Sequence, residues 1–536
     1  MSSASPRRTE QTEIERKYDV HESAGVPDLV GAGGDGEPDA LVVGGAEHDD
    51  PVELAATYWD TVDHTLLGAR TTLRRREGGG DAGWHLKLPP SAGTSGRREV
   101  HWPLGDPDEP VPDALRRLVE ARLRGRPLHP VLRLETTRTT TRLLDGSGRD
   151  VAELADDVVR ASNPDTAVLR TWREWEVELA SGVDGAEGER LLDAVAERLE
   201  AAGASVSSSK SKLARGLGSE PAGGRSPSGG GTGGVDPSTS SSARAPKKNS
   251  AAAFVASAAA GLRDELLAID AAVRDDEPDA VRRLRTTTRR LRALLTVWDD
   301  VLDPGLAATV VAGAVHVGHV SGAARDVEVA RGRVATRASS APTGFVTVQA
   351  TGRLEVGLGE RLGEAVGDVR RLLDSGTWFD LLDAVDALVA APATGDHAAD
   401  PAVELSAARL QAERKRTKRV VRAGLAALDA TDHESGVEAL AALHDARKAA
   451  RRLRYALEAD RVRSGSGRGR ARRARAVQEA LGEHRDALAA VRTLREVAAV
   501  AHRAGEDTFG HGVLATLEVA RADDALRRFR RAARRL

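Results

Sequence analysis

Polar and apolar side chains alternate through much of the first two hundred residues, and the charged members of the alternation fall two apart. In Glu13-Ile14-Glu15-Arg16-Lys17-Tyr18, an extended strand sends Glu13, Glu15 and Lys17 to one face and Ile14, Arg16 and Tyr18 to the other. Leu73-Arg74-Arg75-Arg76 pairs Arg74 with Arg76. After the turn Gly78-Gly79-Gly80-Asp81, Trp84-His85-Leu86-Lys87-Leu88 pairs His85 with Lys87, and Arg97 pairs with Glu99. Arg138 with Arg142, Glu153 with Asp157, and Glu174, Glu176 and Glu178 repeat the habit, and Lys210 and Lys212 alternate within Ser208–Leu213. Apolar backs such as Leu73, Leu86, Trp175 and Val177 suit packing against the helical stretches Leu115–Leu123 and Leu191–Leu199. One such strand reads as the solvated face of an antiparallel sheet. Eight with the same habit predict an α+β unit whose eight-stranded antiparallel β-barrel turns its charged face inward as a tunnel.

The texture changes after Ser219. Residues 219–250 are rich in Gly, Ser and Pro without periodicity, which predicts a flexible linker between a unit at 11–218 and an all-α unit at 251–536. Within the first unit, the Gly/Asp-rich stretch Gly31–Asp50 reads as a mobile loop. In the second, Arg282, Arg285, Arg289 and Arg292 recur at steps of three and four, one stripe along a helix. His444, Arg447, Arg451 and Arg454 repeat that stripe, with Lys448 beside it, 162 residues after Arg282. Arg325-Asp326 and Arg485-Asp486 repeat at an offset of 160, so this half reads as an internal duplication. Like charges at such spacing repel, and carboxylates are almost absent from both stripes, which points to a shared surface for a polyanion.

Charged residues make up 30% of the chain, and Arg greatly outnumbers Lys, a preference suited to bidentate contacts with phosphate. There is no cysteine, which excludes disulfides, thiolate catalysis and Cys-based zinc sites. A lumen holding both signs of charge needs a highly charged guest with its cations, and oxygen-only ligands favour Mg²⁺ or Mn²⁺. Aromatics, at 3%, are too sparse for stacking on single-stranded nucleic acid. Met1–Glu10 does not resemble a signal peptide, and Gly305–Ala324 reads as a soluble helix rather than a membrane span, so a cytoplasmic location is expected.

Glu13-x-Glu15-x-Lys17 resembles the ExExK signature of CYTH domains, the triphosphate tunnel metalloenzymes. The resemblance extends through Tyr58-Trp59-Asp60-Thr61, Leu73–Arg76, Trp84–Pro89, Trp172–Leu179 and Ser211–Gly216. It implies that Lys17, Arg74, Arg76, Lys87, Arg97, Arg138 and Lys212 hold phosphates, with Arg142 a further candidate. Glu13, Glu15, Asp157, Glu176 and Glu178 would hold one or two metal ions, Asp157 being preferred to Asp156 because it shares a face with Glu153. Glu13, Glu15, Lys17 and Glu176 would stand closest to the chemistry. The two Arg/His helices with their Arg-Asp elements resemble the CHAD domain, which implies two pseudo-symmetric four-helix bundles and a basic groove for inorganic polyphosphate. His444 fits that family's second histidine, whereas Arg282 replaces the first.

The expectation is therefore a hydrolase of inorganic triphosphate or short polyphosphate, dependent on Mg²⁺ or Mn²⁺, with a polyphosphate-binding module. Association with polyphosphate granules would follow from the latter. The alternatives are a non-catalytic polyphosphate-binding or granule-targeting protein, and an organic triphosphatase or adenylyl cyclase of the same tunnel family.

Overall fold

The computed structural model describes residues 9–34, 41–89, 97–106, 109–164, 166, 168–183, 185–209, 211–218, 247, 249–390, 394–430, 436–465 and 467–536. Most of the expected linker, and Lys210, lie outside the described residues. The chain divides into two compact units, Met1–Asp236 and Pro237–Leu536.

The first unit is built on strands β1 (Thr9–Glu13), β2 (Glu15–Asp19), β3 (Gly45–His48), β4 (Val52–Asp60), β5 (Thr72–Glu77), β6 (Gly83–Leu88), β7 (Arg97–Pro103), β8 (His129–Leu144), β9 (Asp150–Ser162), β10 (Leu169–Leu179) and β11 (Ser205–Val206). Its helices are α1 (Thr65–Gly68), α2 (Asp113–Leu123), α3 (Gly185–Ala201) and α4 (Lys212–Leu217). All the strands join one antiparallel sheet in the order β1-β7-β6-β5-β4-β8-β9-β10-β2-β11, with β3 on β8. The expected first strand is split at Ile14. Its first half pairs with β7 and its second with β10, so residues 9–19 hydrogen-bond to both ends of the run from β7 to β10. The hydrogen-bonded ladder is nonetheless an open path, not a ring.

Two other expectations change. Part of the Gly31–Asp50 stretch is built into the sheet: β3 pairs with β8, and Gly33 bridges to Val42. Lys212 lies on no strand. It opens α4, because the Ser211 side chain accepts the Ala214 amide at 3.1 Å and starts a helix there.

Alternation places the core on the outer face. Tyr18, Trp175, Val177 and Leu154 pack with Leu191, Leu192, Val195 and Leu199 of α3, side chains worth roughly 1.5–3 kcal/mol each on full burial. Arg16, on the same face as Tyr18, bonds Glu189 at 3.0 Å and Asp193 at 2.7 Å of that helix. The tight β5–β6 turn needs Gly78, whose φ is 82° and where a Cβ would lie 2.3 Å from the Glu53 carbonyl oxygen. At the end of β4, fully buried Asp60 accepts the amides of Thr61 (2.7 Å), Leu66 (2.8 Å) and Leu67 (2.9 Å), fixing α1 to the sheet. Asp60→Ala, which orphans these donors, is expected to lower stability by about 2–3 kcal/mol in urea unfolding. Asp60→Asn, which keeps one acceptor oxygen, should lose less.

The second unit is helical: α5 (Ala251–Arg274), α6 (Ala280–Val297), α7 (Pro304–Ser340), α8 (Val348–Leu373), α9 (Gly376–Ala390), α10 (Ala402–Asp429), α11 (Gly436–Ser464), α12 (Arg468–Arg503) and α13 (Phe509–Arg535). The outer ends of α7 and α8 share a core with α12 and α13 through Ala330, Val334, Leu354, Leu358, Leu494 and Leu514. α6 packs against α5, α7 and α11, and α12 reaches α7. Among the described residues, α7 alone is long and apolar enough, by length and composition, to cross a membrane. Here it packs against α6, α8, α9 and α12.

Candidate functional site

Strand register gathers the charged alternation of the first unit. Glu15 lies opposite Glu178, which lies opposite Glu153; Lys17 faces Glu176; Arg138 faces Asp157; Glu13 faces Arg97; and Lys87 faces Glu99. Directly opposed side chains interact across a sheet. One cavity of about 650 Å³ is lined by Glu13, Glu15, Lys17, Arg74, Arg76, Lys87, Arg97, Arg138, Arg142, Glu176, Glu178 and Lys212. Of the residues expected at the site, Asp157 alone does not line it.

Asp157 lies fully buried, with its two oxygens 2.7 Å from the Arg138 Nε and terminal nitrogen and Oδ2 2.9 Å from Lys212 Nζ. Asp156, by contrast, pairs with Arg173 at 2.7 Å. Asp157, Glu174 and Glu176 bring oxygens within 4.8 Å of one another, a spacing that suits a metal ion. Yet Lys212 Nζ already contacts all three, at 2.9, 2.7 and 2.6 Å. Its ammonium stands where an ion would. Burial raises the cost of charge on Glu176, but Lys17, Lys212 and Arg138 overcome it and hold its carboxyl well below the ordinary range. Lys17 bonds Glu15 at 2.9 Å and also touches Glu176. The cluster is a preformed network that aims Lys17 and Arg138 at the cavity.

The row Glu15–Glu178–Glu153 behaves differently. Neither Glu153 nor Glu178 has a lysine or arginine nitrogen within 4 Å among the described residues. Burial, only partly offset by Lys87, pushes the Glu178 carboxyl up to about 7, with the charges of Glu15, Glu99 and Glu153 adding to the rise. Glu153 is raised by burial as well. Glu13, 2.7 Å from Lys87, is pushed up to about 8 by burial and by its hydrogen bond with Glu99. Oxygen-only carboxylates that face a cavity and are short of positive charge fit a hard divalent cation. By this test the donors that suit a metal are Glu178 and Glu153; Glu15 beside them is bonded to Lys17 and Glu13 to Lys87, and Asp157 serves to orient Arg138 and Lys212.

The opposite wall is basic and under-compensated. Burial, then Arg74 and Arg138, push the Arg76 guanidinium down to about 9. Asp81 touches Arg76 but is itself exposed, which screens the contact. Among the described residues, Arg74 reaches only the Tyr58 hydroxyl, at 3.5 Å. Arg142 sits farther out, half-exposed, against Glu47 and, at 3.5 Å, Asp150. His85, beside Lys87, bonds Glu99 through Nδ1 at 2.8 Å. Glu99, Glu153, Glu174 and His85 belong to the site although sequence reasoning assigned them no role. Their signal was spacing: each stands two or four residues from an assigned residue on the same strand face.

In the helical unit the two stripes meet where α6 packs on α11. Arg285 bonds the Gly322 carbonyl and Asp326, both at 3.0 Å, and Arg485 reaches Asp326 at 3.3 Å, so the repeated Arg-Asp elements touch. Arg289, Arg447 and Arg451 have no carboxylate within 4 Å among the described residues. Burial, then Arg285 and Arg451, push Arg289 down to about 9; burial, then Arg485 and Arg451, push Arg447 down to about 10. Arg282, His444 and Lys448 are exposed at the margin, Arg292 is half-buried, and Arg454 stacks on Tyr455 at 4.5 Å while pairing with Glu458. Half-buried, unpaired guanidinium groups are not an ordinary solvated helix face.

The fold and its two charged sites thus define a two-unit protein: an antiparallel sheet around a charged cavity, then a helical unit with a convergent basic seam. Family models match the CYTH domain over residues 11–217 and the CHAD domain over 257–495. An uncharacterized protein of Mycobacterium tuberculosis (strain CDC 1551 / Oshkosh), MT2285, is 34% identical over 546 residues, spanning 99% of this chain and 97% of that one. The chain belongs to the CYTH–CHAD family. Among solved structures, PptA from Streptomyces chartreusis is similar at 20% identity, covering 53% of this chain and 99% of its own, with a TM-score of 0.43. The CHAD domain of the plant Ricinus communis is similar at 23% identity over 55% of this chain and 95% of its own, with a TM-score of 0.40.

Proposed function

We propose that the first unit hydrolyses inorganic triphosphate or a short polyphosphate with a divalent cation, Mg²⁺ or Mn²⁺, and that the second binds polyphosphate chains. The observation that carries this reading is that the cavity sets two carboxylates short of positive charge, Glu153 and Glu178, across from arginines short of negative charge, Arg74 and Arg76. A polyanion with its cation neutralises both. Residues 9–19, paired to both ends of the sheet, support a tunnel closed through Ile14.

In this reading Lys17, Arg74, Arg76, Lys87, Arg97, Arg138 and Lys212 neutralise the phosphate oxygens, with Arg142 at the rim. Glu15, Glu178, Glu153 and Glu13 would hold the metal, whose chemistry is to polarise the phosphoryl group and lower the pKa of a bound water. The chain's own part is positioning: Asp157 and Glu176 fix Arg138 and Lys212, and Glu99 fixes Lys87 through Glu13. Arg289, Arg447 and Arg451, with Arg282, Arg285, Arg292, His444, Lys448 and Arg454 around them, form the polyphosphate seam. The expected working place is the cytoplasm, where polyphosphate granules would be reached through that seam.

The test is phosphate release from tripolyphosphate, ATP and thiamine triphosphate by the intact chain with Mg²⁺ or Mn²⁺. Tripolyphosphate should be preferred, and Glu15→Ala should lower turnover about 10²–10³-fold. Retention of polyphosphate without turnover of any of these would instead identify a binding protein.

A further inference from the structure

We propose that the helical unit carries a second anion pocket, separate from the α6/α11 seam, that holds a single phosphoryl group. It lies where α10, α11 and the start of α12 meet. A cavity of about 70 Å³ there is lined by the exposed Arg414, Arg470 and Arg473 and by Gln411, over a floor of Leu410, Leu453, Leu457 and Leu536.

Several observations single this pocket out. None of the three arginines has a carboxylate within 4 Å among the described residues, although neighbours on the same helices are paired, Arg452 and Arg416 with Glu413 and Arg475 with Glu479. Arg470 and Arg473 stand one turn apart in the first two turns of α12, where free backbone N–H groups and the helix dipole add to their charge. The apolar floor lowers the local dielectric and strengthens the attraction for an anion above it.

The pocket is also not the seam continued. At about 100° per residue, Leu453 and Leu457 lie roughly 120° around α11 from the stripe of Arg447, Arg451 and Arg454. Nor does the repeat require it: at the 160-residue offset, Arg470 and Arg473 correspond to Val310 and Gly313. The fold builds that position without charge in one half and concentrates charge on it in the other.

Charge selects the ligand. Three guanidinium groups match a dianionic tetrahedral phosphoryl better than a monoanionic carboxylate. That group can come from free orthophosphate or from the end of a polyphosphate chain. The inference does not depend on the hydrolase reading.

Arginine labelling of the full-length chain by phenylglyoxal, mapped by mass spectrometry, tests it at constant ionic strength. Orthophosphate or tripolyphosphate should slow labelling of Arg414, Arg470 and Arg473 at least fivefold and leave exposed Arg527 unchanged. Protection by orthophosphate itself would assign the free anion, and protection by tripolyphosphate only would assign a chain end. Arg473→Gln, at an exposed position and checked for folding by circular dichroism, should abolish protection of Arg414 and Arg470. Unchanged labelling with both anions, equal protection by acetate, or protection surviving in Arg473→Gln would each overturn the pocket.

Discussion

Replacing Lys212 with methionine is expected to cost about 3–5 kcal/mol of stability at neutral pH, the range for removing one partner from a buried ion pair. The ammonium contacts Asp157, Glu174 and Glu176 at 2.6–2.9 Å, and Asp157 and Glu174 are buried away from water. The pH dependence identifies the cause. Asp157 and Glu176 are held below their ordinary values despite burial, because Lys212, Arg138 and Lys17 outweigh it. Groups depressed in the folded state contribute stability that is present above their unfolded values, 3.8 and 4.5, and is lost as pH falls through the folded ones. Lys212 itself is raised, burial notwithstanding, by Glu176 and Asp157, so its share is full below 10.5 and lost as pH rises past the folded value. The deficit of Lys212→Met relative to the parent chain should therefore be largest between about pH 5 and 10, and shrink below about pH 4 and in strong alkali. Urea unfolding across that range measures it. A deficit flat with pH would mean that packing, not charge, holds α4 to the sheet.

Lys212 also shows where reading from sequence stops. Alternation was sufficient to place Glu15 and Lys17 on the face opposite Tyr18, and Glu176 and Glu178 opposite Trp175 and Val177, because a one-residue slip would bury charge against α3. The same alternation misread Ser208–Leu213, where a single serine capping interaction turns the chain into a helix and delivers Lys212 end-on to the cluster. Register was equally out of reach. Nothing local says that Glu178 will face Glu15 and Glu153 while Glu176 faces Lys17, yet that difference leaves Glu178 and Glu153 short of cations and Glu176 saturated. The cross-strand partners, set by pairings up to 163 residues apart, decide which carboxylates remain open to a metal. In the helical unit the spacing of three and four was enough to define each stripe, but not that Arg285 would be tied to Asp326 while Arg289, Arg447 and Arg451 stay unpaired. Loop closure and helix packing set those outcomes, not periodicity.

Arg76→Met should separate stability from function, because the guanidinium is kept at a cost to the fold. Burial and the neighbouring charges of Arg74 and Arg138 push Arg76 down to about 9, and its one acidic contact among the described residues, Asp81, is exposed to water. A base depressed in the folded state destabilises it wherever the group is charged there, that is, below about pH 9, and the penalty fades as pH rises towards its ordinary 12.5. Replacing a poorly compensated buried charge with an apolar side chain of similar length commonly stabilises by about 1–4 kcal/mol. With part of the charge screened through the cavity, a gain of about 1–2 kcal/mol is expected at pH 7. The gain should diminish above pH 9. Over the same change, kcat/KM for tripolyphosphate should fall about 10²-fold, the loss typical of a charge-stabilising donor in an enclosed site. The upward shift in Tm produced by tripolyphosphate should shrink with it, since less of the ligand's charge is neutralised. Calorimetry with and without tripolyphosphate reads both effects on one sample. If Arg76→Met were both less stable and fully active, the basic wall would be structural scaffolding, and the repulsion held there would not be awaiting an anion.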